Sequence, residues 1–291
     1  MTARPKLQHI EVVANPASGS VGPDVAEEAR AIFEKFGLAA NICAPATGDL
    51  GRCLQEAAER RPDLLVTIAG DGTARSAAEL CANGGPTMAP LPGGTMNMLP
   101  YAVYGKRSWQ EALELTLERG EERPMGCGQA AGRIFLVAAI MGAPALWAPA
   151  REAAREGKLR LALDRGRRAW SRAFSSRLRV SLDGGVRRKA EAATFLCPLI
   201  SRALDSDDPK MEAAIFQTAG AAEAFRLGLH ALTGDWRNDP AVAAAPIRRA
   251  ICEASHSIPT ILDGETIQLG ARVEVTFKPD MLRVLAPVAD T

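Results

Sequence analysis

Short apolar runs broken by small-residue turns set the pattern of the first 120 residues. Residues 8–14 (Gln-His-Ile-Glu-Val-Val-Ala) predict a first strand, closed by the turn Asn15-Pro-Ala-Ser-Gly19. Pro23 opens a helix to about Phe36, with Val25, Ala29, Ile32, Phe33 and Phe36 on one face and Gly37 ending it. Residues 38–44 predict a second strand. Thr47 is placed to cap the next helix, whose apolar stripe is Leu50, Leu54, Ala57 and Ala58. The run 64–68 is β-branched and too short for a helix, so it predicts a buried strand. It breaks into Ala69-Gly-Asp-Gly-Thr73, and helical composition resumes over 74–82. Residues 86–91 form another short apolar run, broken by Pro92-Gly-Gly-Thr-Met-Asn97. Trp109, Ala112, Leu113, Thr116 and Leu117 then mark an amphipathic helix.

Strands alternating with helices predict a parallel sheet covered on both faces. Ligands of such sheets bind beyond the carboxyl ends of the strands, where both glycine turns fall. The pattern changes near Glu121-Glu-Arg-Pro124. Beyond it, strand-like runs dominate: 126–130, 133–140, 177–183, 193–200, 211–218, 247–254, 258–263, 271–277 and 282–286. Helical stretches at about 143–175 and 221–232 interrupt them. The fold class expected is α/β: a parallel-sheet nucleotide-binding domain over 1–124, then a mostly antiparallel β-sandwich over 125–291 with helical insertions. The last strand is able to return to the first domain.

Composition narrows the function classes. Of 291 residues, 47% are hydrophobic and 24% charged, as in ordinary globular chains. The net charge of +1 gives no global field for nucleic acid, and no nucleic-acid partner is expected. No apolar run reaches the ~20 residues of a membrane span, and the start of the chain does not read as a signal peptide. The six cysteines contain no C-x-x-C pair. They argue against zinc and suggest buried thiols in a reducing compartment. A cytoplasmic protein is expected. Residues 151–189 are rich in Arg and Lys and carry Leu159, Leu161, Leu163, Trp170 and Phe174. This basic amphipathic segment suits peripheral contact with an anionic membrane, and equally a solvated helix face.

Several chemistries drop out. There is no G-x-x-x-x-G-K-[ST], and Gly70-Asp-Gly-Thr-Ala-Arg75 lacks the third glycine of a dinucleotide fingerprint. Ser18 and Ser20 are not in G-x-S-x-G. His9, His230 and His256 have no ligand spacing and read as structural or surface residues. A strand, a glycine turn and a helix start together aim backbone N–H groups at an anion. Asp71 inside such a turn would repel a bare phosphate, and is explained by a divalent cation between them. Read alone, the turn is equally a strand-to-helix corner capped by Asp.

Taken together and in order, Asn15-Pro-Ala-Ser-Gly19, Ala69-Gly-Asp-Gly-Thr73 and Leu91-Pro-Gly-Gly-Thr-Met-Asn97 resemble the motifs of the diacylglycerol kinase catalytic family. That family includes bacterial lipid kinases and sphingosine kinases, with NAD kinases as distant relatives. Gly132 through Gly142, and Leu262-Asp-Gly-Glu265 with its following strands, extend the resemblance over nearly the whole chain. It implies ATP bound by Asn15, Thr47, Ala69, Gly70, Asp71, Gly72, Thr73, Gly94, Thr95 and Asn97. It implies a magnesium ion and phosphate organised by Asp71. Glu265 matches the general base that takes the acceptor proton, with Asp263 supporting it. Asp205-Ser-Asp-Asp-Pro-Lys210 resembles the family's loop that holds a structural magnesium partly through main-chain carbonyls, which implies Asp205, Asp208 and Lys210 as ligands. The implied activity is ATP-dependent phosphorylation of diacylglycerol or a related lipid alcohol in phospholipid metabolism. A NAD kinase-like enzyme and a non-catalytic lipid- or nucleotide-binding protein are the alternatives. A homodimer is among the arrangements left open. Ala69, Met98, Val137 and Pro209 depart from the residues usual in the family.

Overall fold

The computed structural model describes residues 7–45, 49–142, 145, 178–198, 209–216 and 242–287. In chain order these form β1 (Ile10–Ala14), α1 (Val25–Lys35), β2 (Asn41–Cys43), α2 (Leu50–Glu59), β3 (Leu64–Ala69), α3 (Asp71–Cys81), β4 (Thr87–Pro92), α4 (Met98–Tyr104) and α5 (Trp109–Arg119). There follow β5 (Gly120–Ala130), β6 (Arg133–Phe135), β7 (Ala138–Gly142), β8 (Leu178–Leu182), β9 (Arg188–Ala190), β10 (Ala192–Leu196) and β11 (Met211–Phe216). The last described elements are β12 (Val242–Ile247), β13 (Arg249–Glu253), β14 (Ile258–Leu262), β15 (Glu265–Leu269) and β16 (Arg272–Pro287). The chain divides into two compact units, residues 1–127 with 279–291, and residues 128–278.

The first unit is built on parallel strands in the order β2-β1-β3-β4, continued by Val284 of β16 beside Met88. β1 and β3 are buried at every position. Parallel strands covered by helices on both faces read as continuous apolar runs for this reason. Helix α1 starts at Val25 and buries Val25, Ala29, Ile32 and Phe33 as the spacing predicts, whereas Phe36, expected on the same face, is its half-buried C-cap. On α5 all the predicted apolar residues are buried, and Ser108 and Glu111 form a capping box at its start. The chain order reverses between β1 and β3, the arrangement in which parallel sheets bind ligands beyond the carboxyl ends of their strands.

The second unit holds two sheets over one apolar core. One sheet has the order β12-β11-β10-β7-β14-β15, all antiparallel. The other contains β9, β8, β13 and the first part of β16. Phe135, Met141, Phe195 and Ile215 meet Leu178, Val180, Cys252 and Val275 in the shared core. The expected α/β fold with an antiparallel sandwich is what is observed. β16 displays both patterns within one strand. Residues 272–277 alternate between exposed or half-buried and buried, whereas 284–286 are all buried.

Local expectations were corrected at four places. β2 covers only Asn41–Cys43, not 38–44. Helix α3 begins at Asp71, three residues before 74. The cap of α2 is Asp49, whose side chain accepts from the Arg52 backbone N–H, rather than Thr47. Cys43 and Cys53 are joined in a disulfide, whereas Cys81, Cys127, Cys197 and Cys252 are buried cysteines outside any disulfide. The helical stretches expected at 143–175 and 221–232 lie almost wholly outside the described residues. Among the described residues no helix is long and apolar enough to cross a membrane.

Candidate active site

At the carboxyl ends of β1, β3 and β4 three loops interlock. Asn15 donates its backbone N–H to Ile68 O at 3.0 Å, Gly93 donates to Ala69 O at 3.0 Å, and Ser20 donates to Gly93 O at 3.3 Å. The Asn15 side chain accepts from Ala17 N–H at 3.1 Å, which folds the first loop back on itself. Gly94 is needed for the interlock: a Cβ there would stand 2.6 Å from the Gly70 Cα. A Cβ on Gly93 would stand 2.6 Å from the Ala69 nitrogen. Around Gly70 the loops bring Ser18 Oγ and the Gly94 backbone close, and Thr95 Oγ1 lies near Gly19.

Helix α3 starts inside this ring. Its N-cap is Gly70, which has no side chain to offer, so no side-chain cap closes the helix. Thr73 and Ala74 donate their N–H groups to Gly70 O. Asp71 and Gly72 occupy first-turn positions whose N–H groups have no intrahelical acceptor. A helix start left open by glycine attracts an anion through those N–H groups and the helix dipole. Asp71 is half-buried, and its Oδ1 accepts from Leu99 N–H at 3.2 Å in the first turn of α4. Among the described residues its other oxygen makes no hydrogen bond.

Asn97 braces the second turn from within. Its Oδ1 accepts from the N–H groups of Gly93 at 3.1 Å and Gly94 at 2.6 Å. Its amide donates to Gly94 O at 2.8 Å and meets the Tyr101 hydroxyl at 3.3 Å. Asn97 is 2% exposed and left-handed, with φ 48°, a conformation that asparagine tolerates better than most residues. Its side chain is thus occupied in shaping the turn. Thr95 and Met96 at the tip are exposed, Met96 at 59%.

In the second unit, Asp263 and Gly264 form the two-residue turn of the β14–β15 hairpin, with φ 45° and 90°. Positive φ at both central residues is the type I′ signature. The Asp263 carboxylate is 8% exposed. It accepts from Leu136 N–H at 2.7 Å, and from Val137 and Ala138 N–H at 2.9 Å. It therefore fixes the segment leading into β7, where those N–H groups would otherwise be buried without partners. Val137 enters this arrangement through its backbone, so its departure from the family's usual side chain leaves the brace intact. Glu265 follows as the first, exposed residue of β15, opposite Leu262.

The motif residues Asn15, Ala69, Gly70, Asp71, Gly72, Thr73, Gly94, Thr95 and Asn97 are gathered in one unit at one sheet edge. Asp263 and Glu265 are gathered in the other. Thr47, Asp205 and Asp208 lie outside the described residues, and Lys210 is half-buried just before β11. Tyr101, the partner of Asn97, had no signal in the sequence beyond its place four residues on. The Leu99 N–H on Asp71 likewise required the short helix α4 to be known.

Residues 9–130 match the family of the diacylglycerol kinase catalytic domain. The resemblance drawn from the motifs therefore holds. The chain is 26% identical over 280 residues to the diacylglycerol kinase of Bacillus subtilis strain 168, covering 89% of this chain and 90% of that protein. A Bacillus anthracis diacylglycerol kinase structure superposes with a TM-score of 0.69 at 15% identity, covering 99% of this chain and all (100%) of that one. A candidate diacylglycerol kinase from the same organism gives 0.71 at 18% identity, with 99% and 100% coverage. The structural likeness establishes the diacylglycerol kinase-like fold across both units. The family match covers the three interlocking loops.

Among the described residues no three His, Cys, Asp or Glu side chains cluster as a ready-made metal site. Magnesium bound with a nucleotide needs less, since one or two carboxylates complete a shell made of phosphate oxygens and water. Asp71, with one oxygen uncommitted beside an open helix start, fits that requirement.

Proposed function

We propose that this chain is an ATP-dependent lipid kinase that phosphorylates the hydroxyl of diacylglycerol or a related lipid alcohol. The observation that carries the reading is the glycine-capped start of α3, ringed by the loops after β1 and β4 and bearing Asp71. Backbone N–H groups of Gly70, Asp71 and Gly72, with the hydroxyls of Thr73 and Thr95, would receive the phosphates. Asn15 and Thr47 would complete the nucleotide site. Ala69 and Gly94 would keep the wall thin enough for close approach. A magnesium ion, when bound, neutralises charge on the transferred phosphoryl group, and Asp71 would hold it.

Glu265 would take the proton from the lipid hydroxyl as the phosphoryl group is transferred. An alcohol is a poor nucleophile, and a positioned carboxylate assists as its proton leaves. Asp263 would act through position, by fixing the turn that presents Glu265. Most of the acceleration would come from alignment and charge neutralisation. Asp205, Asp208 and Lys210 would hold a second, structural magnesium, Lys210 through its main-chain carbonyl oxygen rather than its ammonium group. Exposed Arg179, Arg187, Arg188 and Lys189 belong to the basic segment that would face an anionic membrane carrying the substrate.

The test is transfer of label from γ-labelled ATP, with magnesium, to mixed vesicles containing diacylglycerol. NAD serves as a parallel acceptor. Labelled lipid with unlabelled NAD is expected, and Glu265→Gln should reduce lipid labelling by about a hundredfold. Labelled NAD alone, or tight ATP binding with no transfer to any lipid, would overturn the proposal.

A further inference from the structure

Helix α4 is too short to hold its own place. It has 7 residues, its N-cap Asn97 gives it no side-chain cap, and it ends at Gly105 with φ 73°. A helix of two turns is unstable alone in water, so ties to the rest of the fold must set its position. At its start Leu99 N–H donates to Asp71 Oδ1 at 3.2 Å. Further along, the Tyr101 hydroxyl meets the Asn97 amide at 3.3 Å. At its last residue the Tyr104 hydroxyl donates to Leu285 O at 3.0 Å, in the buried end of β16. The Tyr104 carbonyl oxygen accepts from the Arg107 guanidinium.

The ties at the two ends differ in tolerance. Tyr104 is 2% exposed, and burial pushes its phenol pKa upward, so the hydroxyl stays protonated and remains a donor. Leu285 is buried as well, which shields this bond from water. The Leu99–Asp71 bond, at 3.2 Å, stands at the long end of the N–H···O range. A shift of α4 by about half an ångström would break it. The geometry of Asp71 thus depends on how firmly the far end of α4 is held.

We propose that Tyr104 is a positioning residue for Asp71: its bond to Leu285 fixes α4, and α4 fixes the carboxylate through Leu99 N–H. This rests on the reading above, in which Asp71 holds the nucleotide's magnesium. Tyr104 acts only through the helix between them. With Oδ1 held, the carboxylate is oriented before nucleotide and cation arrive. Without that hold it turns about its own side-chain bonds and must be ordered on binding, which weakens the cation's contribution. Losing a partner that orients a metal ligand lowers metal affinity about 10- to 100-fold. Tyr104 is one step further out, so the lower end of that range applies.

The experiment measures ATP affinity of the full chain by calorimetry, with and without magnesium. The readout is the factor by which magnesium tightens binding. Tyr104→Phe should lower that factor about tenfold while leaving the magnesium-free Kd unchanged. Ile32→Val, a buried change in α1 of similar stability cost, should leave both unchanged. In an Asp71→Asn background Tyr104→Phe should have no further effect on affinity. An unchanged factor in Tyr104→Phe, an equal loss with and without magnesium, or a further loss in the Asp71→Asn background would overturn the proposal. If Tyr104→Phe does not fold, the exposed Arg107→Ala at the same end of α4 decides by the same factor: a lowered one supports the proposal and an unchanged one overturns it. Wild type indifferent to magnesium would count against the cation reading instead. Hydrogen exchange at the Leu99 amide then decides the positioning. Faster exchange in Tyr104→Phe than in wild type and Ile32→Val supports it, and equal exchange overturns it.

Discussion

Asp71-Gly72 and Asp263-Gly264 are the same dipeptide placed in two different backbones. Asp71 opens a helix, whereas Asp263 and Gly264 both take positive φ and turn a hairpin. Asp183-Gly184 behaves like the second pair, with φ 44° and 76°, and Asp183 accepts from Arg248 and Arg249 N–H. The carboxylates differ accordingly. Asp263 has both oxygens committed to buried N–H groups at 2.7 to 2.9 Å. Asp71 has one oxygen on one N–H at 3.2 Å, and is half-buried. A carboxylate whose acceptors are all used holds structure together. One with an acceptor to spare, at an open helix start, can hold a cation. The chemistry of the motif follows from hydrogen-bond accounting more than from residue type.

The largest effect expected from this contrast is on stability. Asp263→Ala should cost about 4 kcal/mol, because three buried N–H groups lose their acceptor and alanine must adopt positive φ. Denaturant unfolding measures it. A loss near zero would mean that water replaces the carboxylate. Next is Asp71→Asn, which should leave the unfolding midpoint nearly unchanged while lowering kcat/KM about a hundredfold. A loss of stability as large as that of Asp263→Ala would erase the distinction between the two residues. Gly94→Ala comes third. The new methyl would meet Gly70, so the turns must separate, costing about 2 kcal/mol and weakening nucleotide binding.

The smallest effect concerns Glu11, a third carboxylate in which the accounting is again complete. It is 1% exposed and accepts from Arg60, Asn41 and His9. Burial opposes its ionisation, but these hydrogen bonds outweigh burial and hold its pKa below the ordinary 4.5. A lowered folded pKa contributes stability that is fully present above the unfolded value and is lost as pH falls through the folded one. Wild type should therefore lose stability on acidification below about pH 4.5 more steeply than Glu11→Gln. Parallel acid limbs in the two proteins would contradict this.

The first unit was legible in the sequence because buried parallel strands and amphipathic helices have distinct periods. The runs at 10–14 and 64–69, and the faces of α1 and α5, appear where the pattern puts them. What was missed had weak local signals. Helix α4 is 7 residues long, follows two glycines and carries Pro100 in its first turn, so nothing announced it. Strand β15, which carries Glu265, is mostly polar and half-exposed, and only the hairpin pairing makes it a strand. Cys43 and Cys53 share no motif; only the return of α2 against β1 brings them together. The site's glycines and Asp71 could be read directly. The bonds that separate Asp71 from Asp263 could not, because they come from segments 28 and 125 to 127 residues away in the chain.

The magnesium dependence of ATP affinity tests that separation most directly. Calorimetry on wild type, Asp71→Asn and Asp263→Asn, each with and without magnesium, provides it. Magnesium should tighten ATP binding in wild type and in folded Asp263→Asn, and make almost no difference in Asp71→Asn. An equal magnesium effect in Asp71→Asn and wild type would contradict the assignment of the cation to Asp71.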